Sequence, residues 1–189
     1  MKWANNNLLW GRPLRNILAI FDKKTLQFSF GHLKSASSII LEQDLDIKYK
    51  KVTTFKEYQA FLKKNNIILD QNERRNSIIK KFHSICKVKN FKEDFDNHLL
   101  EEVVNIVENP KVLLADFKKD YLQIPEEIII STLKRHQRYF PLFNKKDHLT
   151  NNFFVVANKS DTKNLIKNGN KRVVEARLAD AKFFWDKDK

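Results

Sequence analysis

The sequence predicts an α+β fold, a mixed or antiparallel sheet with flanking helices. Three observations carry this expectation. Short apolar or period-two stretches at 12–21, 26–30, 112–115, 139–143 and 152–157 alternate irregularly with stretches of helical periodicity, without the regular spacing of a doubly wound sheet. Pro110 and Pro125 stand at borders between the two kinds of stretch, where a proline ends one element or opens the next. The 189 residues are 42% hydrophobic and include 15 Phe, too apolar for a disordered polymer and long enough to bury a core. The expected organisation is one α+β domain over 1–168, with a helical insertion at about 54–108, and a helix over 169–189 leading to a further domain.

Taken in order, residues 12–21 (Arg-Pro-Leu-Arg-Asn-Ile-Leu-Ala-Ile-Phe) read as a mostly buried strand. Asp22-Lys23-Lys24 supplies a turn, and Leu26 to Phe30 alternates before Gly31, so a β-hairpin is expected there. Weaker extended pieces follow at 37–41 and 46–52. Thr54 caps a helix to about Lys64, with Phe55, Tyr58, Phe61 and Leu62 as its apolar stripe. Asp70 caps a longer helix, with Glu73 three residues on as in a capping box; its apolar face is Ile78, Ile79, Phe82, Ile85 and Cys86. Phe91 to Asn97 reads as a polar connector. Leu99, Leu100, Val103, Val104 and Val107 then mark a helix over 96–108, which Pro110 ends before the strand Val112-Leu113-Leu114-Ala115. Pro125, Glu126 and Glu127 open a helix that turns Ile128, Ile129 and Leu133 inward. Two strands, 139–143 and 152–157, are joined by a polar turn at 144–150. The last helix runs from about Lys171 to Trp185, with Val173, Val174, Leu178, Ala181 and Phe184 along one face.

Lys and Arg number 36 against 23 Asp and Glu, a net charge of +13 that attracts polyanions. Of these cations 28 are Lys, in a chain also rich in Asn, Ile and Phe, the skew that AT-rich codons produce. The Arg positions resist that drift and are the better signal: Arg12, Arg15, Arg74, Arg75, Arg135, Arg138, Arg172 and Arg177. A single Cys86 excludes an intrachain disulfide and reads as a small buried hydrophobe. No apolar run approaches the ~20 residues needed to cross a membrane, and Asn5-Asn6-Asn7 interrupts any leader-like segment, so a cytoplasmic location is expected.

No catalytic motif emerges. Gly11, Gly31 and Gly169 are isolated, which rules out a glycine-rich phosphate loop. His32, His83, His98, His136 and His148 lack metal-ligand spacing, so no metal site is expected. Glu101-Glu102 and Glu126-Glu127 read as dipole-matched acids near helix starts.

Two segments concentrate the remaining chemistry. Lys134-Arg135-His136-Gln137-Arg138-Tyr139-Phe140-Pro141 packs cations, an imidazole and two aromatics behind an amphipathic helix. Lys134, Arg135 and Arg138 suit phosphate, although a solvated basic turn accounts for them equally. His136 at the helix end is placed to cap carbonyls or to meet a ligand, and at least one of Tyr139 and Phe140 belongs to the core. In the segment 169–184, Lys171, Arg172, Arg177 and Lys182 exceed what Glu175 and Asp180 neutralise. Either an RNA-facing helix or a salt-bridged surface helix fits.

These segments also carry a resemblance. Met1-Lys2-Trp3, Arg12-Pro13-Leu14-Arg15, Leu99-Leu100-Glu101-Glu102-Val103, the Pro110 to Leu114 stretch, the Lys134 to Pro141 cluster and Gly169 to Phe184 resemble, in this order, the beta subunit of the bacterial α2β2 glycine–tRNA ligase. The resemblance spans essentially the whole chain and implies an internal portion related to the B3/B4 domain type of tRNA synthetases. It implies a non-catalytic role in tRNA(Gly) binding and tetramer architecture, within a ligase whose ATP and Mg2+ are held by the alpha subunit. The implied partners are the alpha subunit, a second beta subunit and tRNA(Gly), with no membrane. On this resemblance Lys134, Arg135, Arg138, Lys171, Arg172 and Arg177 are the candidate RNA contacts, and His136, Tyr139 and Phe140 the helix-end or packing residues. No cofactor or metal is expected in this portion. The resemblance also implies that the chain is a part of a longer protein, cut by design or by a split or truncated gene. Ser35 to Ile40 stands where the family shows Gly-His-Arg-Phe, removing a basic–aromatic contact, and Ala4 to Asn7 replaces a usual Gly. Alternative readings are a purely structural module with Arg177 and Asp180 as buried ionic links, a degraded gene remnant, or an editing-type aminoacyl-tRNA hydrolase.

Overall fold

The computed structural model describes residues 9, 11, 14–43 and 46–188. The features expected at Met1 to Asn7, Arg12 and Pro13 lie outside these residues. The mixed α+β content matches the expected class, and the chain divides into two compact units at Ile67/Ile68, within the stretch expected as a helical insertion.

In the first unit the stretch expected as one strand is split. β1 (Ile17–Leu18) pairs in parallel with β5 (Leu33–Ala36), whereas β2 (Ile20–Phe21) pairs with β3 (Lys24–Thr25). Ala19, between them, changes partners: its N–H donates to the Ala36 carbonyl at 3.2 Å and its own carbonyl accepts from Leu26 at 3.1 Å. The hairpin closes through Asp22 and Lys23, both at positive φ (46° and 64°), which matches the twist of the strands. β4 (Ser29–Phe30) completes the order β1-β5-β4. Leu26, Phe28 and Phe30, expected to alternate in a strand, are all exposed. Only Ser29 and Phe30 join a ladder, because the Ser35 hydroxyl takes the Phe28 N–H and donates to the Leu26 carbonyl.

β6 (Ser38–Gln43) and β7 (Asp46–Lys51) form a separate antiparallel hairpin, with Ile40 opposite Tyr49. Helix α1 (Phe55–Lys64) starts where the Thr54 hydroxyl accepts from the Glu57 N–H. Ile39, Val52 and Leu62 are buried, with Tyr58 and Phe61 packed on them. Phe55 is exposed and does not extend the stripe.

The second unit is built on a sheet of order β8-β10-β9: β8 (Lys111–Asp116), β9 (Phe140–Phe143) and β10 (Leu149–Ala157), all antiparallel. Its period-two alternation feeds two cores. Val112, Leu114, Phe140, Leu142, Phe154 and Val156 meet α2 (Gln71–Lys89) and α3 (Asn97–Ile106). Leu113, Ala115, Phe153 and Val155 meet α4 (Glu126–Ser131) and α5 (Leu165–Lys187). The β8 and β10 residues are apolar on both sides because helices cover both faces. Phe91, expected in a polar connector, is buried and bridges to Asn144, while the Lys92 N–H donates to Phe143. The connector therefore extends the sheet edge. Cys86 is fully buried, and desolvation pushes its thiol up to about 11.

Helix α5 begins at Leu165 rather than Lys171. The Asp161 carboxylate accepts from the N–H groups of Ile166 (3.1 Å) and Lys167 (2.7 Å), satisfying donors at the start of the helix that have no intrahelical partner. Its buried residues are Val174 and Leu178; Val173 and Phe184 face solvent, contrary to the expected stripe. Gly169 thus lies inside the helix, and a Cβ there meets nothing within 4 Å. Gly169→Ala is expected to raise stability by about 0.5–1 kcal/mol through helix propensity alone, visible as a higher melting temperature by circular dichroism. Among the described residues no helix is long and apolar enough to cross a membrane.

Candidate nucleic-acid interface

The 134–141 cluster takes its shape from an irregular helix end. After α4 the backbone winds into one π turn over Thr132–His136 and stops at Arg138, whose φ is 58°. The Arg138 N–H donates to the Lys134 carbonyl at 3.2 Å, and the Tyr139 N–H reaches the Leu133 carbonyl at 2.9 Å. This closure is one residue wider than the usual glycine-terminated helix end, as the π winding requires. Holding a side chain in the left-handed region costs on the order of 1 kcal/mol. The Arg138 guanidinium offsets that cost by donating to the carbonyls of Lys134 and Arg135 and pairing with Glu102 at 2.6 Å. Arg138 therefore performs the carbonyl capping expected of His136, whose ring is exposed.

Two further cations are held by carboxylates of their own unit. The Lys134 ammonium donates to Asp96 Oδ2 at 2.9 Å, while Asp96 Oδ1 accepts the Leu99 N–H at 3.0 Å and so caps α3. The Lys134 bond, reinforced by that N–H, holds the Asp96 carboxyl below the usual carboxylate range. Lys171 donates to Asp116 at 2.5 Å with Glu175 at 4.0 Å, and Asp116 raises the ammonium above its ordinary range. Glu175 also accepts the Lys118 N–H at 3.1 Å, so this group ties α5 to the end of β8.

Asp96 gives the unit an acid-sensitive link. A carboxyl whose native pKa is lowered contributes fully above the unfolded value of about 3.9, and the contribution is lost as pH falls through the lower native value. Asp96→Asn keeps a capping oxygen but removes the charge. It is expected to flatten the loss of stability below about pH 4, measured by urea denaturation at stepped pH.

Tyr139 and Phe140 both serve the core, on opposite faces of the sheet. The Tyr139 ring stacks on Phe153 (5.4 Å between centroids), its hydroxyl donates to Asn170 of α5, and burial pushes its phenol up. Phe140 meets Phe82 edge-on at 4.8 Å.

Arg135, Arg172 and Arg177 are different. All are exposed, and among the described residues their guanidinium groups make no hydrogen bond or ion pair. Arg135 follows buried Leu133, Arg172 precedes buried Val174 and Arg177 precedes buried Leu178; those three apolar residues share one core. The free guanidinium groups thus ride on two segments packed against each other. Asp180 is exposed too, so within this chain Arg177 and Asp180 form no buried link, and both are open to a further domain or subunit.

Sequence reasoning missed the partners Asp96, Glu102 and Asp116. Glu101 and Glu102 lie mid-helix in α3 rather than near its start; Glu101 pairs with Arg75, and Glu102 with Arg138 and, at 3.7 Å, His98. A groove of about 870 Å³ between α3 and α4 is lined by Glu102 and Arg138 together with Glu127 and Arg135, so its charge is mixed. Among the described residues no group of three or more His, Cys, Asp and Glu side chains could hold a metal ion.

The family model described as "Glycyl-tRNA synthetase beta subunit" matches residues 1–189. The chain is 35% identical over 189 residues to the "Glycine--tRNA ligase beta subunit" of Dictyoglomus turgidum and 37% identical to that of Clostridioides difficile, covering 100% of this chain and 27% of each relative. The protein of the same name from Rickettsia felis is 36% identical over 192 residues, covering 100% of this chain and 29% of that relative. The chain thus spans between a quarter and a third of the length of the curated relatives it matches. With the family match running from its first residue to its last, this chain belongs to the glycyl-tRNA synthetase beta subunit family.

Proposed function

We propose that the chain is a non-catalytic portion of a glycine–tRNA ligase beta subunit that contributes tRNA(Gly) contacts and supports the tetramer. In this reading it works with an alpha subunit and a second beta subunit in ATP-dependent glycylation in the cytoplasm, with ATP and Mg2+ handled by the alpha subunit. The observation that carries the RNA part is the exposure of Arg135, Arg172 and Arg177 without intramolecular partners among the described residues, on segments that share a core. Guanidinium groups left free in this way keep their full donor capacity for phosphate.

A structural role is favoured for the other expected contacts. Lys134, Arg138 and Lys171 are already matched to Asp96, Glu102 and Asp116, and using them on RNA means breaking those pairs. The editing-hydrolase alternative gains no support from Cys86, whose thiol is buried and kept protonated.

The test is the affinity of a tRNA(Gly) transcript for the chain across a salt titration. The proposal predicts that the logarithm of the association constant falls linearly with the logarithm of salt concentration. An affinity that does not change with salt overturns it.

A further inference from the structure

The first unit contains a second basic surface of different character. Between β7 and α1 lies a groove of about 580 Å³, lined by Lys48, Tyr49, Lys50, Glu57, Phe61 and Lys64. Along α1, Glu57, Phe61 and Lys64 recur at helical spacing and so share one side. Tyr49 is 67% exposed, so its ring face is open to solvent. The one acid among the described lining residues is already engaged: the Glu57 carboxylate accepts from the Thr53 N–H at 2.7 Å and the Thr53 hydroxyl at 3.1 Å. Lys48 donates to Asn65 Oδ1 at 3.0 Å, which fixes its ammonium beside the groove. Lys50 and Lys64 add two more positive charges.

We propose that this groove binds a single-stranded segment of RNA, with a base stacked on Tyr49 and the flanking phosphates met by Lys48, Lys50 and Lys64. Charge complementarity selects a polyanion, and an open aromatic ring amid the lysines selects one with flat bases over an acidic peptide. The groove rests on the RNA-binding reading above and deepens it, adding a second contact and the conformation of RNA it takes. Stacking tolerates any base, so the contact carries little sequence preference.

The experiment uses the full chain and three probes: a short labelled single-stranded RNA, a tRNA(Gly) transcript and a poly-glutamate peptide. Tyr49→Ala is expected to weaken single-stranded RNA binding by about tenfold, with Tyr49→Trp close to the parent. Lys50→Glu combined with Lys64→Glu is expected to weaken it at least as much. Ultraviolet cross-linking of the unsubstituted chain to the RNA, read by mass spectrometry, should place the adduct on Tyr49. Unchanged RNA affinity in Tyr49→Ala, or an adduct confined to α5, overturns this groove while leaving the arginine reading intact. Poly-glutamate that binds as tightly as the RNA and loses as much affinity in Tyr49→Ala means a peptide site and also overturns it. If no RNA binds at all, both readings fall together.

Discussion

Phe82→Ala is expected to destabilise the second unit by about 3–5 kcal/mol, a large share of what a domain of this size has in reserve. Phe82 is fully buried, and its ring joins α2 to both neighbouring strands and to the approach to α3. It stacks on Phe154 of β10 at 4.7 Å with 8° between planes, meets Phe140 of β9 edge-on at 4.8 Å, and lies 4.7 Å from Phe95 ahead of α3. Truncation removes these contacts and leaves a cavity that three other rings cannot collapse to fill. Urea denaturation measures the loss, and Phe82→Leu should recover much of it because volume and apolarity are largely kept. A loss below about 1 kcal/mol for Phe82→Ala is incompatible with this packing.

The second large effect is on binding. Replacing Arg135, Arg172 and Arg177 together by Ala is expected to weaken tRNA association by at least about tenfold at low salt. It should also make the salt slope shallower by roughly one for each phosphate that is no longer neutralised. Because the three side chains are exposed and make no intramolecular partner among the described residues, the change in folding stability should stay within about 0.5 kcal/mol per site. Filter binding across a salt series gives both the affinity and the slope.

Much of the second unit was legible in the sequence, and the reasons are physical. Leu99, Leu100, Val103 and Val104 repeat at helical spacing and are all buried in α3, and Asp70 caps α2 as a short polar side chain does. The strands expected at 139–143 and 152–157 were readable because aromatic and branched residues flank a polar turn, although the second begins three residues earlier, at Leu149. The first unit was less legible, although Thr54 caps α1 as its side chain suggests. Its strands are two residues long at several points, and a side-chain hydroxyl at Ser35 replaces ladder bonds that no periodicity reveals.

The candidate site was half legible. Cation clusters stand out in a sequence, but their counter-ions lie far away along it: Asp96 is 38 positions from Lys134, and Asp116 is 55 from Lys171. No local pattern separates a cation held by such a partner from a free one. The early start of α5 was hidden for a related reason. Its capping carboxylate, Asp161, precedes the helix by several residues, and Gly169 looked like a boundary rather than an interior position.

The division between binding and structural cations is tested most directly by two triple variants compared side by side. One carries Arg135→Ala, Arg172→Ala and Arg177→Ala; the other carries Lys134→Ala, Arg138→Ala and Lys171→Ala. Melting temperature and the salt slope of tRNA binding are measured on both. The first should keep the parent melting temperature and lose slope. The second should lose roughly 1–3 kcal/mol of stability, through three partly exposed pairs and the helix closure at Arg138, and keep most of its slope. The opposite assignment, with slope lost only in the second and stability lost only in the first, contradicts the account.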